Sequence, residues 1–74
     1  MKVRYAVVIE RIETGYSAYV PDLPGCVATG STIDETAQEI RDAIEFHIDG
    51  LQLAGEPVPA PSSTTREVEA AVST

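Results

Sequence analysis

Tyr16 to Gly30, YSAYVPDLPGCVATG, writes a strand, a rigid proline turn and a second strand one after another. Tyr16, Ala18 and Val20 alternate with Ser17 and Tyr19, which is the period of a half-buried strand over 16–20. In Pro21-Asp22-Leu23-Pro24-Gly25, Pro24 presets its own φ and pushes Leu23 into extended geometry. Gly25 tolerates the positive φ that a type II turn requires. Asp22 is expected to accept hydrogen bonds within the turn. Cys26 to Thr29 then forms a short strand, closed at Gly30 and spanning about 26–30.

Toward the N-terminus, Val3 to Ile9 is rich in β-branched and aromatic residues and predicts a strand over about 3–10. Its apolar residues occupy both faces, as in a central strand. Glu10 to Gly15 is polar and ends in glycine, which suits a hairpin bend, so this strand and 16–20 should pair antiparallel. Toward the C-terminus, Thr32 and Glu35 have the spacing of a capping box, and Asp34 and Glu35 complement the positive end of a helix. Ile33, Ala37, Ile40, Ile44, Ile48 and Leu51 keep the three-and-four spacing of one buried stripe. Gly55 serves as the C′ residue and Pro57 forbids continuation, which sets a helix over about 33–54. Residues 56–65 form a connector in which Pro57, Pro59 and Pro61 favour polyproline geometry. Val68, Ala70 and Val72 alternate with Glu67, Glu69 and Ala71, a weak strand over 67–72.

The elements add to one α+β domain over 1–74. It is a two-layer β-β-β-α-β arrangement with a four-stranded mixed sheet and one helix on one face. A domain of this size buries only about 60% of the surface its unfolded chain exposes. Cys26 has no disulfide partner in the chain, so self-association as a dimer or tetramer is the expected way to bury more. One helix, moreover, cannot shield both faces of a sheet. Twelve acidic residues against five basic ones leave a net charge of −7, which repels phosphate and attracts a basic partner. Direct nucleic-acid binding is therefore not expected. The N-terminal apolar run is broken by Arg4, Glu10 and Arg11, so no signal peptide or membrane span is expected. With a single free cysteine, a reducing, cytoplasmic setting follows.

On a helical wheel, Glu35, Glu39, Asp42 and Asp49 share the side opposite the isoleucine stripe. That pattern alone describes a solvated acidic face. Phe46 and Leu53, however, fall within it beside Gly50. An apolar pair rimmed by carboxylates has the layout of a partner-binding anchor, and Glu39, Asp42, Phe46 and Asp49 are the candidate contacts. The alternative is that the proline-rich tail folds back and covers Phe46. His47 and Cys26 lie on different elements, and a lone histidine beside an apolar stripe reads as structural. Cys26 reads as a small buried hydrophobe. The carboxylates line one helix and the loops, whereas metal-dependent phosphodiester chemistry needs acids converging from several elements. No catalytic residue, metal site or cofactor site is assigned.

The turn Tyr19-Val20-Pro21-Asp22-Leu23-Pro24-Gly25-Cys26, the stretch Ala28-Thr29-Gly30-Ser31-Thr32, and Glu35, Ala37 and Ile40 carry a resemblance. Ala43-Ile44-Glu45-Phe46-His47-Ile48, Leu51 and Gly55-Glu56-Pro57-Val58-Pro59 continue it. Over roughly Tyr5 to Pro61 the chain resembles the HicB-like antitoxins. The resemblance implies a partial ribonuclease H layout, three antiparallel strands, a helix and a strand returning beside the first, without the ribonuclease catalytic set. It also implies a non-enzymatic binding protein. Such a protein sequesters a small basic mRNA-cleaving toxin of the HicA type by covering its RNA-binding face and catalytic histidine. Pro21, Asp22, Pro24, Gly25 and Gly55 are the structural residues of the shared motif, and none is assigned to toxin contact. Many full-length members add a helix-turn-helix or ribbon-helix-helix domain, and no such element is legible in these 74 residues. The alternatives are an orphan oligomeric adaptor module and a degenerate metal-dependent nuclease.

Overall fold

A computed structural model describes residues 2–73. Its elements are β1 (Val8–Ile12), β2 (Gly15–Tyr19), β3 (Val27–Gly30) and α1 (Ile33–Leu53). The sheet has three antiparallel strands in the order β1-β2-β3, and α1 packs on one face. The fold is thus α+β with two layers, but its sheet is neither four-stranded nor mixed. Residues 67–72 do not form a strand: they are exposed, and none takes a backbone partner among the described residues. Alternation can mark a segment as competent for a strand, but it cannot supply the partner a strand needs.

The first strand is also displaced from the expected 3–10. It starts at Val8, opposite Tyr19, because the proline turn draws the chain out of line beyond Tyr19. Residues 3–7 consequently have no strand partner among the described residues. At its other end β1 continues through Glu10 and Arg11 to Ile12, leaving only Glu13 and Thr14 in the bend. Gly15 closes that hairpin at φ +145°, where a Cβ would overlap the backbone carbonyl of Gly30. Arg11 faces Tyr16 in this register, with its guanidinium 5.9 Å from the ring centroid. At an exposed site such a cation–π pair is worth about 0.5–1 kcal/mol.

The turn between β2 and β3 is closed by backbone hydrogen bonds from Leu23 N–H to Val20 O (3.1 Å) and Cys26 N–H to Leu23 O (3.0 Å). Gly25 takes the expected positive φ of +82°. The turn is more than a connector, because Leu23 is 0% exposed and joins Ala18, Val20, Cys26 and Ile40 in the core. Ile9, Ala18 and Ala28 lie side by side across the three strands and face the helix.

Thr32 caps α1, its Oγ1 accepting from Glu35 N–H at 3.0 Å. Thr36, on the next turn, is fully buried, and its hydroxyl donates to Thr32 O at 2.6 Å. A Cβ at position 30 would lie 2.8 Å from Thr36 N, so Gly30 lets the first helical turn rest on β3. The helix ends in a Schellman arrangement. Glu56 N–H reaches Leu51 O (2.9 Å) and Gly55 N–H reaches Gln52 O (3.1 Å), with Gly55 at φ +72°. Along the stripe, Ile40 is buried, Ile44, Ile48 and Leu51 are half-buried, and Ile33 is exposed. A three-stranded sheet is too narrow to cover the whole stripe.

Candidate functional site

Two faces of α1 present themselves to solvent in different ways. On the outer face Glu39, Asp42, Phe46 and Asp49 are all exposed, as are Gly50 and Leu53. At 100° per residue, Asp49, Asp42, Leu53, Phe46 and Glu39 fall within an arc of about 80°, and 1.5 Å of rise per residue spreads them over about 20 Å. Phe46 is 82% exposed and Leu53 is 90% exposed. The connector therefore does not cover Phe46. Gln38 Nε2 donates to Asp42 Oδ1 at 3.1 Å, which holds one carboxylate of the rim in place. The result is an apolar pair, about two helical turns apart, set in negative charge.

The inner face borders a groove of about 1290 Å³. Val3, Tyr5 and Val7 form one wall, and Ile40, Ile44 and Ile48 form the other. This is the space that the narrow sheet leaves beneath the helix.

The connector has an anchor that local sequence patterns did not indicate. Asp22 accepts from the backbone N–H groups of Ser62 (2.8 Å) and Ser63 (3.0 Å) and from both hydroxyls (each 2.9 Å). Asp22 is thus not serving hydrogen bonds inside its own turn. Its four donors come from 40 and 41 residues away. Tyr5 Oη adds a hydrogen bond to Pro59 O at 2.6 Å. The Ser63 and Ser62 backbone donors, in that order, lower the Asp22 pKa from 3.8 to about 2. Because the folded value lies below the ordinary one, the latch is complete above about pH 4 and is lost as pH falls through about 2. Between those limits the Ser62 and Ser63 amide resonances should titrate with the Asp22 carboxylate while core resonances stay put. Serine shifts that remain constant over that range would refute the latch.

Cys26 is buried, and desolvation pushes its thiol pKa up, the opposite of what a nucleophilic thiolate requires. His47 is half-buried on α1. Among the described residues no three His, Cys, Asp or Glu side chains converge as a metal site. None of the described helices is long and apolar enough to cross a membrane.

The family model described as the HicB-like antitoxin of bacterial toxin-antitoxin systems matches residues 5–72. The chain belongs to that family. Its match runs through the proline turn, α1, the Asp22-anchored connector and the exposed tail. Two solved structures share the fold of this HicB-like chain, each at a TM-score of 0.71 and each covering 81% of this chain and 70% of theirs. One is a HicA3 and HicB3 toxin-antitoxin complex, at 30% identity. The other is the N-terminal domain of the Burkholderia pseudomallei antitoxin HicB, at 33% identity. A protein of Haemophilus phage HP1 is 40% identical over 55 residues, which are 74% of this chain and 41% of that protein. A UPF0150 protein of Thermoplasma acidophilum is 39% identical over 57 residues, 76% of this chain and 83% of the relative. The HicB-like chain thus spans about two fifths of the phage protein and most of the archaeal one.

Proposed function

We propose that this chain is a non-enzymatic antitoxin that binds a small basic mRNA-cleaving toxin of the HicA type and occupies its RNA-binding and catalytic face. The single observation that carries this reading is the outer face of α1 in a chain of this family. There Phe46 and Leu53 stand exposed among Glu39, Asp42 and Asp49. A surface that binds RNA is cationic because it receives phosphates, and a rim of carboxylates can take their place. Attraction of this kind steers encounter and orients the partner, whereas the desolvated aromatic supplies most of the lasting affinity. A net charge of −7 extends the field beyond the contact itself. The solved HicA3 and HicB3 complex, a structural relative of this chain, supports a toxin partner of this class.

Co-expression with a HicA-type toxin should restore growth, and the two proteins should purify together. Association should slow as salt is raised, because the steering charges are exposed and screened over about 8–10 Å at ordinary ionic strength. Growth arrest that persists with both proteins folded and present would overturn the proposal. So would RNA cleavage by the purified chain that disappears with one carboxylate.

A further inference from the structure

We infer that the bare face of the sheet is a docking surface for a second copy of this chain, with Val8, Tyr19 and Val27 stacking on the same row of that copy. The inference is independent of any toxin, because this face lies on the opposite side of the sheet from α1 and Phe46.

Strand register assigns residues to this face. Ile9, Ala18 and Ala28 face the helix, so their neighbours along each strand point the other way. Val8, Tyr19 and Val27 form one row across the three strands, Glu10, Ser17 and Thr29 form the next, and Ile12 ends the face at the hairpin. Val27 is 65% exposed, Tyr19 41% and Ile12 40%. The tail valines do not cover this row, since Val68 and Val72 stand exposed as well.

Charge decides which occupant the face takes. A net charge of −7 makes two copies repel each other over most of their surfaces. α1 carries Asp34, Glu35, Glu39, Asp42, Glu45 and Asp49 against Arg41 alone. The strands present one carboxylate on the bare face, Glu10, and no cation. This face has little to attract a cationic partner, and it is where like-charged copies meet at the lowest electrostatic cost. Its apolar row and its hydroxyls are complementary to themselves, as a two-fold interface requires.

Two in-plane axes bring such faces together, and Glu10 distinguishes them. A two-fold axis running across the strands at the Glu10 row sets that carboxylate against its own copy. An axis running along β2, the central strand, keeps the rows aligned instead. Val8 then lies over Val27 of the partner subunit, and Tyr19 lies over the partner's Tyr19. Glu10 lies over Thr29 of the partner subunit, a hydroxyl that can donate to it. Sheets packed in this aligned way stand about 10 Å apart, with their strands within about 30° of each other. The pair is an α-β-β-α sandwich in which Phe46 and Leu53 of each copy point outward, so the outer faces of both helices stay open.

Substitutions at exposed positions test this in the full chain without touching the core. Val27→Glu should weaken self-association by about tenfold or more, because each copy would press a carboxylate against an apolar row. Thr29→Lys should tighten it by about threefold, because each lysine would face Glu10 across the interface. Glu56→Gln shifts the net charge by the same single unit away from the face and should leave association unchanged. Sedimentation equilibrium reads the three constants, and a circular dichroism melt shows that each variant is folded. A monomeric parent chain would overturn the inference, as would a dimer that either substitution on the face leaves unchanged. So would Thr29→Lys and Glu56→Gln acting alike. Nuclear Overhauser contacts from Val68 or Val72 to Tyr19 in a monomer would overturn it as well, because the chain's own tail would then fill the face.

Discussion

Phe46→Ala combined with Asp42→Lys should reduce capture of a HicA-type toxin by about thirtyfold or more and leave the thermal melt nearly unchanged. Phe46 supplies most of that loss. An aromatic anchor desolvated at the centre of an interface costs about 2 kcal/mol or more on truncation, and 1.4 kcal/mol is tenfold in Kd. Asp42→Lys adds a repulsive charge where a cationic partner would dock, and its effect should appear mainly in the association rate and shrink with salt. The fold should hardly register either change. Phe46 is 82% exposed, and its replacement by alanine improves helix propensity. The lost Gln38–Asp42 hydrogen bond joins exposed partners four residues apart, worth about 0.2–0.5 kcal/mol on a helix surface. Isothermal titration of the toxin alongside a circular dichroism melt separates the two roles. A collapsed melt would assign Phe46 to the fold, and unchanged affinity would remove the outer face of α1 from the interface.

What the sequence revealed and what it concealed divide along the range of the interactions. The proline turn, the Thr32 cap and the Gly55 terminus are determined by residues within five positions of one another, and all three were legible. The place of Phe46 on the outer face of α1 belongs with them, because a wheel needs only helical spacing. The Asp22 latch was not legible, since its donors lie at Ser62 and Ser63 and no local pattern links them. Thr36 was hidden for a different reason, because its burial depends on the close approach of α1 to Gly30 and not on its own hydrogen bond, which is local. Its hydroxyl is satisfied one turn back along the helix, so a polar residue could enter the core and rest on Gly30. The tail shows the limit most directly. Its alternation has the period of a strand, but a strand also requires a paired edge, and residues 67–72 take no backbone partner among the described residues. The structure thus separates propensity from pairing at one segment, 67–72.

Leu23→Ala should lower the unfolding free energy by about 2–5 kcal/mol, whereas Leu53→Ala should change it by no more than about 0.5 kcal/mol. The same atoms are removed in both cases, and only the surroundings differ. Leu23 is 0% exposed and packs with Val20, Cys26 and Ile40, so its loss forfeits transfer energy and leaves a cavity. Leu53 is 90% exposed at the last position of α1. A domain of this length has about 4–11 kcal/mol of stability in all, so the Leu23 variant would lose a large share of it. Its position explains why so small a core suffices. Backbone hydrogen bonds at Val20 and Cys26 clamp the turn on either side of Leu23, holding the side chain over the sheet. Loss of the leucine should also loosen the turn that carries Asp22, so the Ser62 and Ser63 amides should exchange faster in this variant than in Leu53→Ala. Urea midpoints for the two variants, read with those amides, test the argument. Equal midpoints would mean that the proline turn contributes no core, and that the sheet and helix are held together without it.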